Sequence, residues 1–193
     1  MKRLVLASQS PRRREILERA GLSFEIRLMP VAEEPFPGES PEAYVRRLAR
    51  DKAMAVPASP GEIVLAADTT VVMGGSILEK PRDSADAARM LRLLSGAEHL
   101  VLTGVCLRDQ RRQWVDCART TVRFVPLTNA EIDAYVSSGE PMDKAGAYAI
   151  QGLASKFVDR IEGCYWNVVG LPIAMVYAQL KKDFGFAQSA ESG

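Results

Sequence analysis

Arg3-Leu4-Val5-Leu6-Ala7-Ser8-Gln9-Ser10-Pro11-Arg12-Arg13-Arg14 is the stretch that sets the fold class. Residues 3 to 7 read as a short buried strand. Ser10 is a preferred helix N-cap, and Pro11 suits the first helical position, where its missing N–H would be unpaired anyway. Ile16, Leu17 and Ala20 supply that helix with an apolar face, and Gly21 ends it. A strand therefore feeds a hydroxyl-rich turn and then a helix that begins with consecutive arginines.

Working outward, a strand is expected around 23–28, followed by a Pro- and Glu-rich loop over 29–39. Ser40-Pro41 opens a second helix to about Val56. The apolar run 63–67 continues past Asp68 as Thr69-Thr70-Val71-Val72, and Gly74-Gly75 marks a hairpin turn. Ser84 caps a helix through Leu94 that Gly96 closes. Strands over 98–107 and 113–126 flank a charged turn, and Thr128-Asn129-Ala130-Glu131 fits a capping box opening a helix to Ser137. Further strand pieces are predicted at 146–152, 157–161 and 166–169. After Gly170-Leu171-Pro172, Ile173, Val176, Tyr177, Leu180 and Phe184 recur at helical spacing. Early alternation and later hairpins predict an α/β fold with a mixed twisted sheet flanked by helices. No linker or repeat divides the chain, so residues 1–186 are expected to form one domain with two lobes around a central cleft. The small, polar residues 187–193 are expected to be a disordered tail.

The 193 residues carry 25 Lys+Arg against 24 Asp+Glu, a formal charge of +1. Apolar residues at 47% and charged residues at 25% exclude disordered and fibrous classes. No apolar run reaches the roughly 18 residues of a membrane span, and the apolar start is shorter than the ~7–15 residues of a signal-peptide core. Near-neutral charge argues against a nucleic-acid partner. Cys106, Cys117 and Cys164 are odd in number and share no C-x-x-C spacing, which predicts no disulfide framework and a cytoplasmic protein. His99 is the only histidine. A His-rich zinc site is thereby excluded, and the chemistry falls to carboxylates, lysines, arginines and hydroxyls. Neither His99 nor the cluster Cys164-Tyr165-Trp166 is assigned a role.

Arg12 and Arg13 stand where free backbone N–H groups already attract anions, and they add bidentate phosphate donors. The alternative is a solvated basic turn paired with Glu15 or Glu18. Lys52 falls on the inward stripe of its helix with Val45, Leu48, Ala49 and Val56, so it either snorkels or points into a polar cleft. Lys80 precedes a helix and is open to both readings. Asp68 is placed to ligate a metal, to take a proton from water, or to cap a turn through Thr69 or Thr70. Glu33 and Glu34 offer oxygens to a hard cation or are solvated. Gln151 reads the edge of a base or satisfies backbone groups at a strand end. Together these residues predict a site for a polyphosphate substrate and a divalent metal.

Leu6-Ala7-Ser8-Gln9-Ser10-Pro11-Arg12-Arg13, Ala67-Asp68-Thr69, Glu79-Lys80-Pro81, the run from Asp143 to Gly152, and Val168-Val169-Gly170-Leu171-Pro172 resemble, in that order, the Maf family. The resemblance spans residues 4–180. It implies a cytoplasmic, dimeric nucleoside triphosphate pyrophosphatase that cleaves between the α and β phosphates with Mg2+ or Mn2+. It also implies a two-lobed fold related to the inosine triphosphatases. Carried onto this chain, the family pattern makes Asp68 the general base. Ser8, Arg13, Lys52 and Lys80 become phosphate ligands, and Glu33 joins Asp68 at the metal. At the discriminating positions, Arg12, Thr69 and Gln151 are similar to the branch acting on dTTP and UTP. The branch acting on 7-methyl-GTP resembles Trp, Gln and Glu there. Ala149 departs from a glycine common in the pyrimidine branch. A nucleotide-sensing regulator of septum formation using the same cleft is the alternative the resemblance leaves. The positive charge is expected to gather in the cleft at Arg12, Arg13, Lys52 and Lys80.

Overall fold

In the computed structural model, which describes residues 2–186, the opening stretch forms strand β1 (Arg3–Leu6) and helix α1 (Pro11–Arg19). Ser10 caps that helix, its hydroxyl accepting from the Arg13 N–H. The expected tail 187–193 lies outside the described residues. β2 (Phe24–Ile26) returns parallel to β1. Helix α2 (Pro41–Ala55) then crosses to β3 (Glu62–Met73), parallel to β1 on its other edge. The two crossovers leave in opposite directions, so right-handed connections put α1 and α2 on opposite faces of the sheet. Accordingly, Ile16 and Leu17 pack with Leu4 and Leu6, whereas Ala49 and Ala53 pack with Val5 and Ala7.

β4 (Ser76–Leu78) folds back on the end of β3. After α3 (Ser84–Leu94), the antiparallel strands β5 (Glu98–Arg108) and β6 (Gln113–Phe124) extend the sheet. Helix α4 (Asn129–Ser137) carries the predicted capping box. β7 (Val158–Glu162) forms the far edge, and α5 (Tyr165–Val169) and α6 (Ile173–Phe184) complete the chain. The order β2-β1-β3-β5-β6-β7, with β4 on β3, is the mixed sheet flanked by helices that was expected. No described helix is long and apolar enough to cross a membrane.

β3 places the site. Val64, Ala66 and Val72 face α2, and Ile63, Leu65, Ala67 and Val71 face the larger core on the other side. Burial on both faces is why 63–67 is an unbroken apolar run. β1 stops at Leu6, opposite Leu65, and β4 begins to pair only at Val71. Between these points β3 keeps β5 on one edge and, among the described residues, has no strand on the other, and a cleft opens there. This is the topological switch point of the parallel part of the sheet, where α/β folds bind ligands. Asp68 therefore lies inside a strand rather than at the end of one.

Three local expectations are corrected. Residues 146–152 form no strand. Gly146 and Ala147 have φ of 68° and 58°, within the 3-10 turn Ala145–Ala147, and extended pairing is impossible there. A side chain at Gly146 would also come within 2.8 Å of Val71. Residues 166–169 belong to α5, because a four-residue apolar run does not distinguish a buried helical turn from a strand. Asp83, not Ser84, caps α3, accepting from the Asp86 N–H at 2.8 Å.

Of the unassigned residues, His99, Cys164 and Trp166 serve the packing of the fold. His99 is buried with its Nε2 2.8 Å from the Tyr148 hydroxyl and its ring edge-on to Phe124. Cys164 exchanges backbone bonds with the Thr120 hydroxyl, and Trp166 packs on the main core. All three cysteines are free thiols.

Candidate active site

Even-numbered residues of β3 face α2, and this brings Asp68 to Lys52. Lys52 Nζ donates to Asp68 Oδ1 at 2.7 Å and lies 2.7 Å from Glu33 Oε1. Lys52 therefore points into the cleft instead of snorkelling. The approach depends on Gly104, which is opposite Asp68 in the β5 register: a Cβ there would sit 2.1 Å from the Val45 carbonyl oxygen of α2. The loop bearing Glu33 is tied to the same helix. The Tyr44 hydroxyl donates to the Glu33 carbonyl at 2.8 Å, and Arg47 donates to Glu39 at 2.7 Å while covering the Phe36 ring at 3.9 Å. Glu34 presents its carbonyl to Arg47. Sequence reasoning passed over Tyr44 and Glu79, whose hydroxyl and carboxylate lie 3.4 Å apart in the cleft wall. For Glu79 the only signal was its place beside Lys80.

Thr69, the next residue, faces the other side and meets α1. Arg13 is buried and donates to Ser8 Oγ at 3.0 Å, to the Gly170 carbonyl at 2.9 Å and to Thr69 Oγ1 at 3.1 Å. Thr69 Oγ1 lies 2.9 Å from Thr103 Oγ1, which donates to the Asn167 carbonyl at 3.2 Å. Burial lowers the Arg13 pKa, with the Asp68 charge opposing that shift. The guanidinium stays cationic. It braces the turn after β1, the middle of β3 and the end of α5 at once. The pairing with Glu15 is made by Arg19 at 2.6 Å, which leaves the arginines of the first turn to other contacts.

Ser8, Arg12, Arg13, Glu33, Lys52, Asp68, Thr69, Lys80 and Gln151 all line one cleft of about 800 Å³, whereas Glu34, the other carboxylate put forward from the sequence, is not part of its lining. Lys80 and Gln151 are exposed on its rim, and Arg12 Nη1 lies 3.9 Å from Asp143 Oδ2. The charge is not simply positive. Arg12, Arg13, Lys52, Lys80 and Lys144 face Glu33, Asp68, Glu79 and Asp143 across the same space. The expectation of a cationic cleft is corrected accordingly, because cations and carboxylates interleave. Such a lining suits a polyanion that arrives with a divalent cation. Among the described residues, no group of three or more His, Cys, Asp or Glu side chains is arranged to hold a metal alone.

Fold and cleft define an α/β protein with an anion-ready site at the switch point of its sheet. Residues 3–183 match the family model described as Maf-like protein, and the chain belongs to the Maf family. The dTTP/UTP pyrophosphatase of Anaeromyxobacter dehalogenans is 55% identical over 184 residues, covering 93% of each chain. That of Geobacter sulfurreducens is 52% identical over 183 residues, covering 93% of this chain and 96% of the relative. Among solved structures, a HAM1 protein from Coxiella burnetii aligns with a TM-score of 0.48 at 15% identity, over 94% of this chain and 100% of that one.

Proposed function

We propose that this protein is a nucleoside triphosphate pyrophosphatase that hydrolyses dTTP and UTP to the monophosphate and pyrophosphate. The observation that carries the reading is the buried Asp68 held on Lys52 at the floor of the cleft. The pyrophosphatase relatives, more than half identical over nearly the whole chain, support it.

In this reading the triphosphate lies against the Ser8–Arg13 turn, with Lys52 and Lys80 on its non-bridging oxygens. As phosphate oxygens engage the Lys52 ammonium, Asp68 loses its partner and takes a proton from a water molecule. The water oxygen bonds to the α-phosphorus, the bond to the bridging oxygen breaks, and pyrophosphate leaves with the electron pair. Charge building on the phosphoryl oxygens meets donors already in place, which is where most catalytic gain in phosphoryl chemistry arises.

Asp68 and Glu33 converge on one ammonium, and the pair fits a hard divalent cation, Mg2+ or Mn2+. Such ions take one or two carboxylates and complete their shell with substrate phosphates and water. When bound, the ion neutralises phosphoryl oxygens. On the base side, the Gln151 amide matches the paired donor and acceptor of uracil or thymine. Arg12 supports that edge, and Thr69 acts through Arg13, which already engages its hydroxyl. The same reading makes the enzyme cytoplasmic and homodimeric, and light scattering checks the dimer.

A panel of nucleoside triphosphates with Mg2+, Mn2+ or chelator tests the proposal. Monophosphate and pyrophosphate from dTTP and UTP are expected, with loss of turnover in chelator. Tight binding without turnover would replace the enzyme with the nucleotide-sensing regulator.

A further inference from the structure

The segment that carries Gln151 is anchored from below by two residues outside the cleft lining. Both oxygens of the Glu140 carboxylate accept from the Leu153 N–H, at 3.0 and 3.1 Å. One of them also accepts from the Tyr135 hydroxyl at 2.8 Å. The Tyr135 oxygen in turn accepts from the Ala149 N–H at 3.2 Å. Gln151 lies midway between Ala149 and Leu153, so a single Tyr-carboxylate unit holds the backbone two residues before it and two residues after it. The fit is close, since a Cβ on Gly152 would stand 2.3 Å from Glu140 Oε1. Glu140 also begins the 3-10 turn Glu140–Asp143, whose last residue faces Arg12. One turn thus touches the supports of two residues assigned to the base.

Leu153 is 56% exposed, so the segment that this carboxylate holds lies at the surface. Tyr135, by contrast, is buried on α4 and stacks edge-on to Phe157 at 5.5 Å, so the anchor is rigid where the anchored segment is open. Rigid support matters for an amide that must present a donor and an acceptor together, because a small displacement misaligns both.

We propose that Glu140 and Tyr135 are positioning residues for Gln151, holding the 149–153 segment so that its amide meets the pyrimidine edge in one orientation. This rests on the reading of Gln151 as the base-recognising residue. Steady-state kinetics with dTTP, UTP, ATP and GTP test it in Glu140→Ala, Tyr135→Phe, Glu140→Gln, Gln151→Ala and the double variant Glu140→Ala/Gln151→Ala. Glu140→Ala and Tyr135→Phe are expected to raise KM for dTTP and UTP about tenfold, with kcat within about twofold of wild type. Purine turnover stays unchanged, so the pyrimidine preference narrows. Glu140→Gln keeps, in its amide oxygen, an acceptor for both the Leu153 N–H and the Tyr135 hydroxyl, as Oε1 serves both in the structure, and it restores most of the preference. The double variant discriminates no worse than Gln151→Ala alone. If Gln151→Ala changes the preference and Glu140→Ala does not, or if Glu140→Ala lowers kcat alike for all four nucleotides, the positioning role is overturned and base reading by Gln151 stands. An unchanged preference in Gln151→Ala overturns both. Should Glu140→Ala fail to fold, the same ratio in Tyr135→Phe and Glu140→Gln decides.

Discussion

Asp68 and Thr69 are consecutive in β3 and project to opposite faces of the sheet, Asp68 onto Lys52 of α2 and Thr69 onto Arg13 of α1. A strand turns successive side chains to opposite sides. Both faces are open to one cleft only because β3 lacks a neighbour between its β1 and β4 partners. The Asp68 carboxylate and the buried arginine network are thus adjacent in sequence yet hydrogen-bonded to different helices.

Asp68→Asn keeps the volume and an acceptor for Lys52 but removes the proton acceptor proposed for the reaction. Turnover of dTTP is expected to fall by about 10²–10⁴-fold, the usual contribution of a positioned proton acceptor. The urea midpoint should stay close to wild type. Pyrophosphate release at the wild-type rate would remove Asp68 from the mechanism.

Arg13→Lys preserves the charge and loses the geometry. One ammonium does not reach Ser8, Gly170 and Thr69 as the guanidinium does. Unmet acceptors in a buried place cost about 1–3 kcal/mol, so a lower melting temperature should accompany reduced activity. A variant with unchanged melting temperature would restrict Arg13 to a phosphate contact.

Gly104→Ala sets a methyl group against backbone atoms of Val45 and Arg46, which do not rotate away. Either α2 shifts or the sheet bends, at a cost of about 1–3 kcal/mol. Because α2 carries Lys52, dTTP hydrolysis should fall together with the melting temperature. Denaturant unfolding and initial rates on the same preparation check the link.

Acid weakens the fold in two windows. Burial lowers the His99 pKa from 6.5 to about 4, so between these values the unfolded chain takes up a proton that the folded chain refuses, and stability falls with pH. The hydrogen bonds of Arg27 and of the Ser59 N–H hold Glu62 at about 2 against an ordinary 4.5, and that contribution is lost as pH drops from 4.5 towards 2. Urea midpoints measured across this range should fall in both windows. Glu62→Gln should be less stable at neutral pH and flatter below pH 4.5.

Much of the fold was legible because its local signals were strong. Ser10-Pro11, Ser40-Pro41 and the capping box at Thr128 each start a helix where cap chemistry says they should. The failures share a cause. Residues 146–152 and 166–169 are apolar enough for strands, and whether such a run pairs or turns depends on neighbours far along the chain, Val71 against Gly146 being one. Lys52 shows the same limit for the site. Its helical stripe put it on the inner face, but only Asp68 and Glu33 within reach of its ammonium distinguish a cleft residue from a snorkelling one. Tyr44 and Glu140 gave no local sign and Glu79 only its place beside Lys80, since an ordinary tyrosine or glutamate is marked by what it holds.

The sequence by itself determined most of the element types, the α/β class, the family resemblance and many of the residues now found around the cleft, though not Tyr44 or Glu79. Propensity, capping and hydrophobic period act over a few neighbouring residues, and motif spacing is carried whole by the chain. The tertiary structure alone decided which charges meet. It opened β3 between β1 and β4, brought α2 against Gly104, and drew Lys52 between two carboxylates, so that a lining expected to be cationic is mixed. Hydrogen bonds and ion pairs act over about 3 Å, and no pattern along the chain specifies which distant side chains folding will bring that close.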